Sequence, residues 1–264
     1  MSTEQKGVGV YLYAAGSIAA GILDLIWGEF EAAHQPIQAL GDHIHGRAIL
    51  AYTAAAWLVL GGAAILWRRT ARWGGWALAA IYSIFAAFWL PRFYTVAHLM
   101  GLTLPLVAGL SAGIGQQLIL VAAGIEEAAA TSRAGRLLRW VFGLSSVAFG
   151  LAHLTGLRPV AAMVPTWMPF GGNFWAILTG IAFVLAGIAI LSRVLDLLAA
   201  RLLALMLLVF SIFVLAPRPF ARPHDHVVWG SNAYNLAAVG AAWIFAESLA
   251  RRGGRRSYTD LQPK

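Results

Sequence analysis

The feature that most constrains this chain is a series of long apolar segments that contain hardly any charged residues. The clearest covers residues 48–67, which hold no charged side chain and are bounded by Arg47 before them and by Arg68 and Arg69 after them. In a lipid bilayer every backbone amide must be hydrogen-bonded within the protein, and about 20 apolar residues in a helix cross the hydrocarbon core. Such segments therefore predict transmembrane helices.

Eight segments of this kind predict an all-α, polytopic membrane protein with eight transmembrane helices. Their expected bounds are residues 9–27, 48–67, 73–91, 103–125, 138–157, 172–191, 197–216 and 228–248. Only 11% of the residues are charged, against roughly a quarter in soluble proteins, so lipid is expected to be the main solvent. The first segment lacks a small-residue cleavage site before a polar chain, which predicts a retained span rather than a signal peptide.

Composition also excludes several kinds of chemistry. The chain has no cysteine, which rules out thiol redox reactions, iron–sulfur clusters, zinc thiolate sites and covalently attached haem. No HExxH, Walker or dinucleotide-binding glycine pattern is present, so hydrolase, ATPase and nicotinamide-dependent functions have no support. The net charge of +8 comes from short basic clusters between apolar segments, which indicates membrane topology rather than nucleic-acid binding.

The distribution of basic residues predicts the orientation of the chain. Of the 19 Lys and Arg residues, 14 fall in one alternate set of loops and termini, and five fall in the other set. Basic residues favour the cytoplasmic side of a membrane, so both termini are predicted to be cytoplasmic, in a bacterial inner membrane. The five basic residues on the non-cytoplasmic side are Arg47, Arg92, Arg158, Arg218 and Arg222.

The two halves of the sequence resemble each other. Residues 13–66 align with residues 142–191, which places Asp24 opposite His153, and Ser-Ile-Phe recurs at 83–85 and 211–213. Each repeat would hold four helices, so both copies would have the same orientation in the membrane. The predicted organisation is two parallel four-helix bundles: residues 1–126, a linker at 127–137, and residues 138–264 with a short basic tail.

The second half also resembles a known family. Residues 163–170 read Met-Val-Pro-Thr-Trp-Met-Pro-Phe, and residues 174–180, Ala186 and Gly187 follow them. Over residues 139–248 this pattern resembles the DoxX family of bacterial membrane proteins, whose members have four-helix units. The chain would then be a tandem duplication of the DoxX unit, and the first half is assigned chiefly through the internal repeat. The relative DoxD is a subunit of a thiosulfate:quinone oxidoreductase, but the resemblance transfers no catalytic residue.

Several ionisable residues on the non-cytoplasmic side are candidates for binding a cofactor. All seven histidines fall on that side. Asp24 and His153 occupy equivalent repeat positions inside predicted spans, where an ionisable group is costly unless it is paired or faces a polar cavity. The predicted cofactor-binding residues are Asp24, Arg92, His98, His153 and Arg218. The alternative is that they reach the membrane interface, where Arg92 and Arg218 would anchor helix ends.

Pairs of histidines in two loops could bind a metal. His43 with His45, and His224 with His226, could supply imidazole ligands to a divalent metal ion, with His34 or His98 completing the site or holding a haem iron. An H-x-H pattern alone is a weak signal, and solvated loop histidines are the alternative.

These patterns lead to two hypotheses of function. The first is an accessory or catalytic subunit in quinone- or haem-linked electron transfer, associated with other redox subunits, in which His153, Asp24 and the outer histidines bind a cofactor or relay protons. The second is a small-solute transporter or lipid-binding module without redox activity. A purely structural partner is a third possibility.

Overall fold

The computed structural model describes residues 6–34 and 45–260, and side chains only as far as residue 253. This part of the chain is helical and contains no strand. The helices are α1 Val8–Trp27, α2 Arg47–Leu66, α3 Ala71–Met100, α4 Leu104–Ala129, α5 Ser132–Thr155, α6 Leu157–Ala161, α7 Gly171–Ser192, α8 Asp196–Phe210, α9 Arg218–Ala221 and α10 His226–Asp260. A π-helical turn, Ser211–Leu215, continues α8.

Seven of the described helices are long and apolar enough to cross a membrane: α1, α2, α3, α4, α5, α7 and the segment Asp196–Ala221 that contains α8. The prediction of an all-α, multi-pass membrane protein is therefore confirmed. The last helix is not among the seven, and its apolar part contains the polar residues Asn232, Asn235 and Glu247. The count of eight transmembrane helices stays a prediction.

The long helices pack in a closed series. Each helix from α1 to α5 packs against the next, α5 continues through α7 and α8 to α10, and α10 packs against α1. Helices α4 and α10 also touch across the middle of this ring. One end of the ring, where α1, α3 and α5 finish, carries the described histidines and is called the histidine end. The opposite end, near Lys6 and Arg252, is called the terminal end.

Glycines allow two helix pairs to approach very closely. A Cβ atom added to Gly16 of α1 would lie 2.3 Å from the backbone nitrogen of Ala237 in α10. A Cβ on Gly75 of α3 would lie 2.7 Å from the carbonyl oxygen of Gly124 in α4, and the reverse distance is the same. Helices in membranes associate largely through such backbone contact, since apolar side chains gain little by leaving lipid. The lack of a side chain at these glycines therefore allows α1 to pack closely on α10, and α3 on α4.

Several expected boundaries differ from the structure. The eighth span, expected at residues 228–248, continues as α10 to Asp260. The third span, expected at residues 73–91, extends as α3 to Met100 and passes through Pro91. Proline lacks the N–H that would bond to the preceding turn, but neighbouring helices allow membrane helices to continue past it. The expected linker at 127–137 is almost wholly helical, and only Ala130 and Thr131 separate α4 from α5.

At the terminal end, an ion pair joins the two halves of the chain. The buried carboxylate of Glu126 in α4 accepts hydrogen bonds from Arg252 Nη2 at 2.8 Å to each oxygen and from Ser248 Oγ at 2.7 Å. Arg252 also donates to the carbonyl of Thr131, just before α5. Nearby, burial lowers the pKa of Lys6, and the charge of Glu127 opposes this shift. The Glu126 cluster fixes α10 to the junction between α4 and α5.

Candidate functional site

A cavity of about 400 Å³ lies among α4, α5, α7, α8 and α10. Its volume falls within the range of small-molecule sites, about 300–1,000 Å³. Most of the wall is apolar, with Phe149 and Phe183 among its aromatic rings. Polar side chains from several helices also reach it, including His153, Tyr234 and Asn235. Apolar walls with a small number of polar groups are typical of sites that bind and orient a small ligand.

His153, near the end of α5, presents a defined chemical group to this cavity. Its Nδ1 lies 2.8 Å from the carbonyl oxygen of Phe149 in the preceding helical turn. Because a carbonyl oxygen can only accept a hydrogen bond, the proton of the neutral imidazole belongs on Nδ1. Nε2 is then a hydrogen-bond acceptor. The ring packs against Phe183, with 5.2 Å between centroids, which restricts its orientation.

The π-helical turn after α8 shapes another part of the wall. Phe210 and Leu215, at the two ends of this turn, line the cavity. Two asparagines of α10 hydrogen-bond to the backbone here: Asn232 Nδ2 donates to the carbonyl of Leu215 at 3.0 Å, and Asn235 Nδ2 donates to that of Leu207 at 3.1 Å. Asn235 also donates to Ser211 Oγ. Turns of this type inside α-helices often occur at functional sites.

The segment after α1 folds back into the helix ring and contributes to the cavity wall. Gly28 has φ of +64°, a left-handed conformation that ends α1 and turns the chain inward. The buried side chain of Glu31 and residue Ala33 then line the cavity. Trp89 Nε1 donates to the carbonyl of Ala33 at 3.0 Å, and Arg92 Nη2 donates to that of Ala32 at 2.8 Å. Trp89 and Arg92 thus hold this part of the wall in place.

A second polar cluster, separate from the cavity, surrounds Asp24. This carboxylate is 0% exposed, and its Oδ1 accepts a hydrogen bond from the backbone N–H of Glu31 at 2.9 Å. His226 Nε2 lies 3.2 Å from Oδ1, and His34 Nδ1 lies 3.9 Å from Oδ2. Neither contact has hydrogen-bond geometry. His226 stacks on Trp27 and His34 on Phe85, with ring centroids 4.8 and 4.0 Å apart.

The structure does not bring the five predicted cofactor-binding residues together. Within the described chain, only His153 lines the cavity directly. Arg92 supports the wall through Ala32, and Asp24 belongs to the separate cluster with His34 and His226. His98 is exposed at the end of α3 and stacks on Tyr94, 6.1 Å between centroids. Arg218 is half-buried in α9 and does not reach the cavity.

The predicted metal ligands are dispersed in the part of the chain that the structure describes. His43 lies outside the described residues. His45 and His224 are exposed in the turns before α2 and α10, whereas His226 faces Asp24. Among the side chains described for residues 6–34 and 45–253, no group of three or more His, Asp or Glu is placed to hold a metal ion. The metal site therefore stays a prediction.

Sequence reasoning missed the contribution of α10 to the cavity. Tyr234 and Asn235 lie on its wall, and Asn232 bonds to the π-helical turn. The spacing of Asn232 and Asn235 was an available signal. Two amides three residues apart share one helix face, and in an apolar helix such a pair needs polar partners on a neighbouring helix.

The long apolar helices and the cavity between them define an all-helical integral membrane protein with several membrane crossings. No protein-family model, curated protein or solved structure matches the chain. The resemblance to the DoxX family accordingly stays a prediction.

Proposed function

We propose that this protein binds a quinone in the cavity next to His153 and serves in quinone-linked electron transfer in the membrane. The observation that carries the proposal is a cavity whose wall is mainly apolar and carries separate polar groups, among them those of His153, Tyr234 and Asn235. A quinone ring is apolar on both faces and polar only at its oxygens, so this distribution of groups matches its chemistry. The rings of Phe149 and Phe183 supply surfaces against which it can pack.

The cavity wall fits a quinone better than a haem. Haem carries two propionates, which bind best to basic side chains, and its iron requires axial ligands. Among the described residues of the wall, His153 is the only histidine, and there is no Arg or Lys. A haem held by two imidazoles would have neither its second ligand nor partners for its carboxylates.

We also propose that the chain is a DoxX-like tandem duplication with eight spans and that its histidine end faces away from the cytoplasm. In this proposal the protein acts as an accessory or catalytic subunit beside other redox proteins. The packing of α10 along α1, with Trp27 against His226 at one end and Gly9 near Ile244 at the other, supports an eighth span. Each half of the chain contributes four successive long helices to the ring, α1 to α4 and then α5, α7, α8 and α10.

Ligand retention and binding test the proposal. Native mass spectrometry of the gently solubilised protein should detect a bound mass corresponding to a quinone. The purified protein should then bind a decyl-substituted benzoquinone added in detergent, measured by calorimetric titration. A protein that retains only lipid and binds no added quinone in either oxidation state would contradict the proposal and favour the transporter or structural alternative.

A variant that fills the cavity makes the test specific. Ala152 lines the cavity, so Ala152→Phe should weaken quinone binding at least tenfold. Ala15, which is exposed on α1, offers a matched control, and Ala15→Phe should bind quinone like the unmodified protein. Equal binding by the two variants would place the quinone elsewhere on the molecule.

A further inference from the structure

The polar groups on the cavity wall share one property: most of them have already donated their hydrogens within the protein. The hydroxyls of Ser146, Thr179 and Ser231 each donate to the carbonyl oxygen four residues earlier in their own helix, at 2.7, 2.7 and 2.6 Å. Ser145 donates to the carbonyl of Gly115 at 3.4 Å. These hydroxyl oxygens can still accept a hydrogen bond from a ligand through their lone pairs.

The same holds for the larger polar groups. Asn235 uses its amide hydrogens on the Leu207 carbonyl and Ser211 Oγ, which leaves its carbonyl oxygen as an acceptor. The Nδ1–H of His153 is directed to the Phe149 carbonyl, which leaves Nε2 as an acceptor. Glu31 Oε2 accepts a hydrogen bond from the backbone N–H of Ala33. The Tyr234 hydroxyl and the Gln116 amide are the donors on this wall that make no hydrogen bond to another described residue.

A wall rich in acceptors complements a ligand that carries donors. We infer that the cavity binds the hydroquinone form of its ligand more tightly than the quinone form, an inference that rests on the proposed function. Each hydroxyl of a hydroquinone can donate to an acceptor such as His153 Nε2 or the Asn235 oxygen. A quinone has only carbonyl oxygens, which could accept from Tyr234 or Gln116, but an oxygen placed beside His153 would face the Nε2 lone pair without a hydrogen between them. A buried acceptor left without a donor makes binding less favourable.

Equilibrium binding of the two oxidation states tests this inference. The probes are a decyl-substituted benzoquinone and its hydroquinone, titrated separately into the whole protein in detergent under argon. The hydroquinone should bind at least tenfold more tightly, equivalent to about 1.4 kcal/mol. Equal binding, or tighter binding of the quinone, would overturn the inference and leave the proposed function standing. If neither form binds, the proposed function fails and this inference fails with it.

Variants of His153 locate the source of the preference. In His153→Gln the amide can present either its oxygen or its N–H groups, so binding should persist while the preference falls to about twofold or less. His153→Phe should lose the preference as well. Leu151→Phe adds the same ring at an exposed position of the same helix and should keep it. An unchanged preference in both His153 variants would overturn the role of Nε2.

Discussion

The interiors of the two halves of the molecule are filled very differently. Among α1 to α4, the buried rings of Tyr13, Tyr82 and Phe85 fill the space, and His34 stacks on Phe85. The Tyr82 hydroxyl lies 2.9 Å from Ser17 Oγ. The first half is therefore a packed and internally hydrogen-bonded core.

The cavity lies mainly among helices of the second half, and α4 and the segment after α1 complete its wall. The repeat alignment pairs Ser17 with Ser146 and the triplet 83–85 with 211–213. Phe85 is 1% exposed inside the first half, whereas Phe213 is 45% exposed and packs on the edge of Trp167. The two phenylalanines differ in their backbone: Phe213 lies in the π-helical turn Ser211–Leu215, whereas Phe85 lies in α3, which is α-helical throughout.

One extra residue in a helical turn rotates the side chains that follow by about 100°. The same Ser-Ile-Phe triplet therefore directs its ring inward in α3 and outward after α8. The cavity therefore results from backbone geometry as well as from small side chains.

The largest expected effect comes from removing the ring that fills the first half. Phe85→Ala should lower the free energy of unfolding by about 3–5 kcal/mol, because it leaves a void in close packing. Phe213→Ala should lower it by about 1 kcal/mol or less, since that ring is half exposed. Unfolding in mixed detergent micelles measures both values. Equal losses would contradict the difference between the two interiors.

The aligned pair Asp24 and His153 should separate stability from binding. Asp24→Ala removes the acceptor of the Glu31 N–H and the partner of two imidazoles, so the free energy of unfolding should fall by about 1–3 kcal/mol. His153→Ala should change stability by less than about 1 kcal/mol and mainly affect ligand binding. Thermal unfolding and quinone titration of both variants check this. A stable Asp24→Ala protein would show that the cluster contributes little to folding.

Deleting one residue from the π-helical turn should close the cavity. Without Ile212 the turn can return to α-helical pairing, which rotates Phe213 towards the interior and should weaken quinone binding at least tenfold. Deletion of Ile84 from the regular helix α3 is the matched control, and it should destabilise the protein by moving Phe85 out of its core position. If the Ile212 deletion binds quinone normally, the turn does not maintain the cavity.

The smallest expected difference lies between two aligned serines. Ser17→Ala removes the partner of the Tyr82 hydroxyl and should lower the free energy of unfolding by about 1 kcal/mol. Ser146→Ala removes only a hydrogen bond to Phe142 in its own helix and should lower it by a few tenths of a kcal/mol. A larger loss in Ser146→Ala would indicate that its oxygen has an additional structural role.

The positions of several helices could be predicted closely from the sequence. The spans expected at residues 9–27, 48–67 and 172–191 agree within one residue at each end with α1, α2 and α7, because apolar length and flanking polarity set where a helix leaves the membrane. The candidate site was less predictable. It depends on the π-helical turn, which hydropathy does not reveal, and on which helix faces lie opposite one another.

His153 was predicted as a site residue because an ionisable group inside a span requires a partner or a cavity. The same reasoning applied to Asp24 indicated that this carboxylate needs a partner, but it did not identify which residues those partners are. Asp24 contacts the inserted residues 31 and 34, together with His226 from the other end of the chain. Pairing between the first and last helices does not follow from the pattern of either helix alone.

The close contact of α1 with α10 has a consequence for biogenesis. Gly16 meets Ala237, a partner more than 200 residues later in the chain, and the Glu126 carboxylate meets Arg252, which is also synthesised much later. During insertion α1 lies in the bilayer without this partner until α10 has been synthesised, because no helix made earlier provides the same contacts. Truncation before α10 would leave a buried carboxylate without its partner, a state that quality-control proteases can recognise.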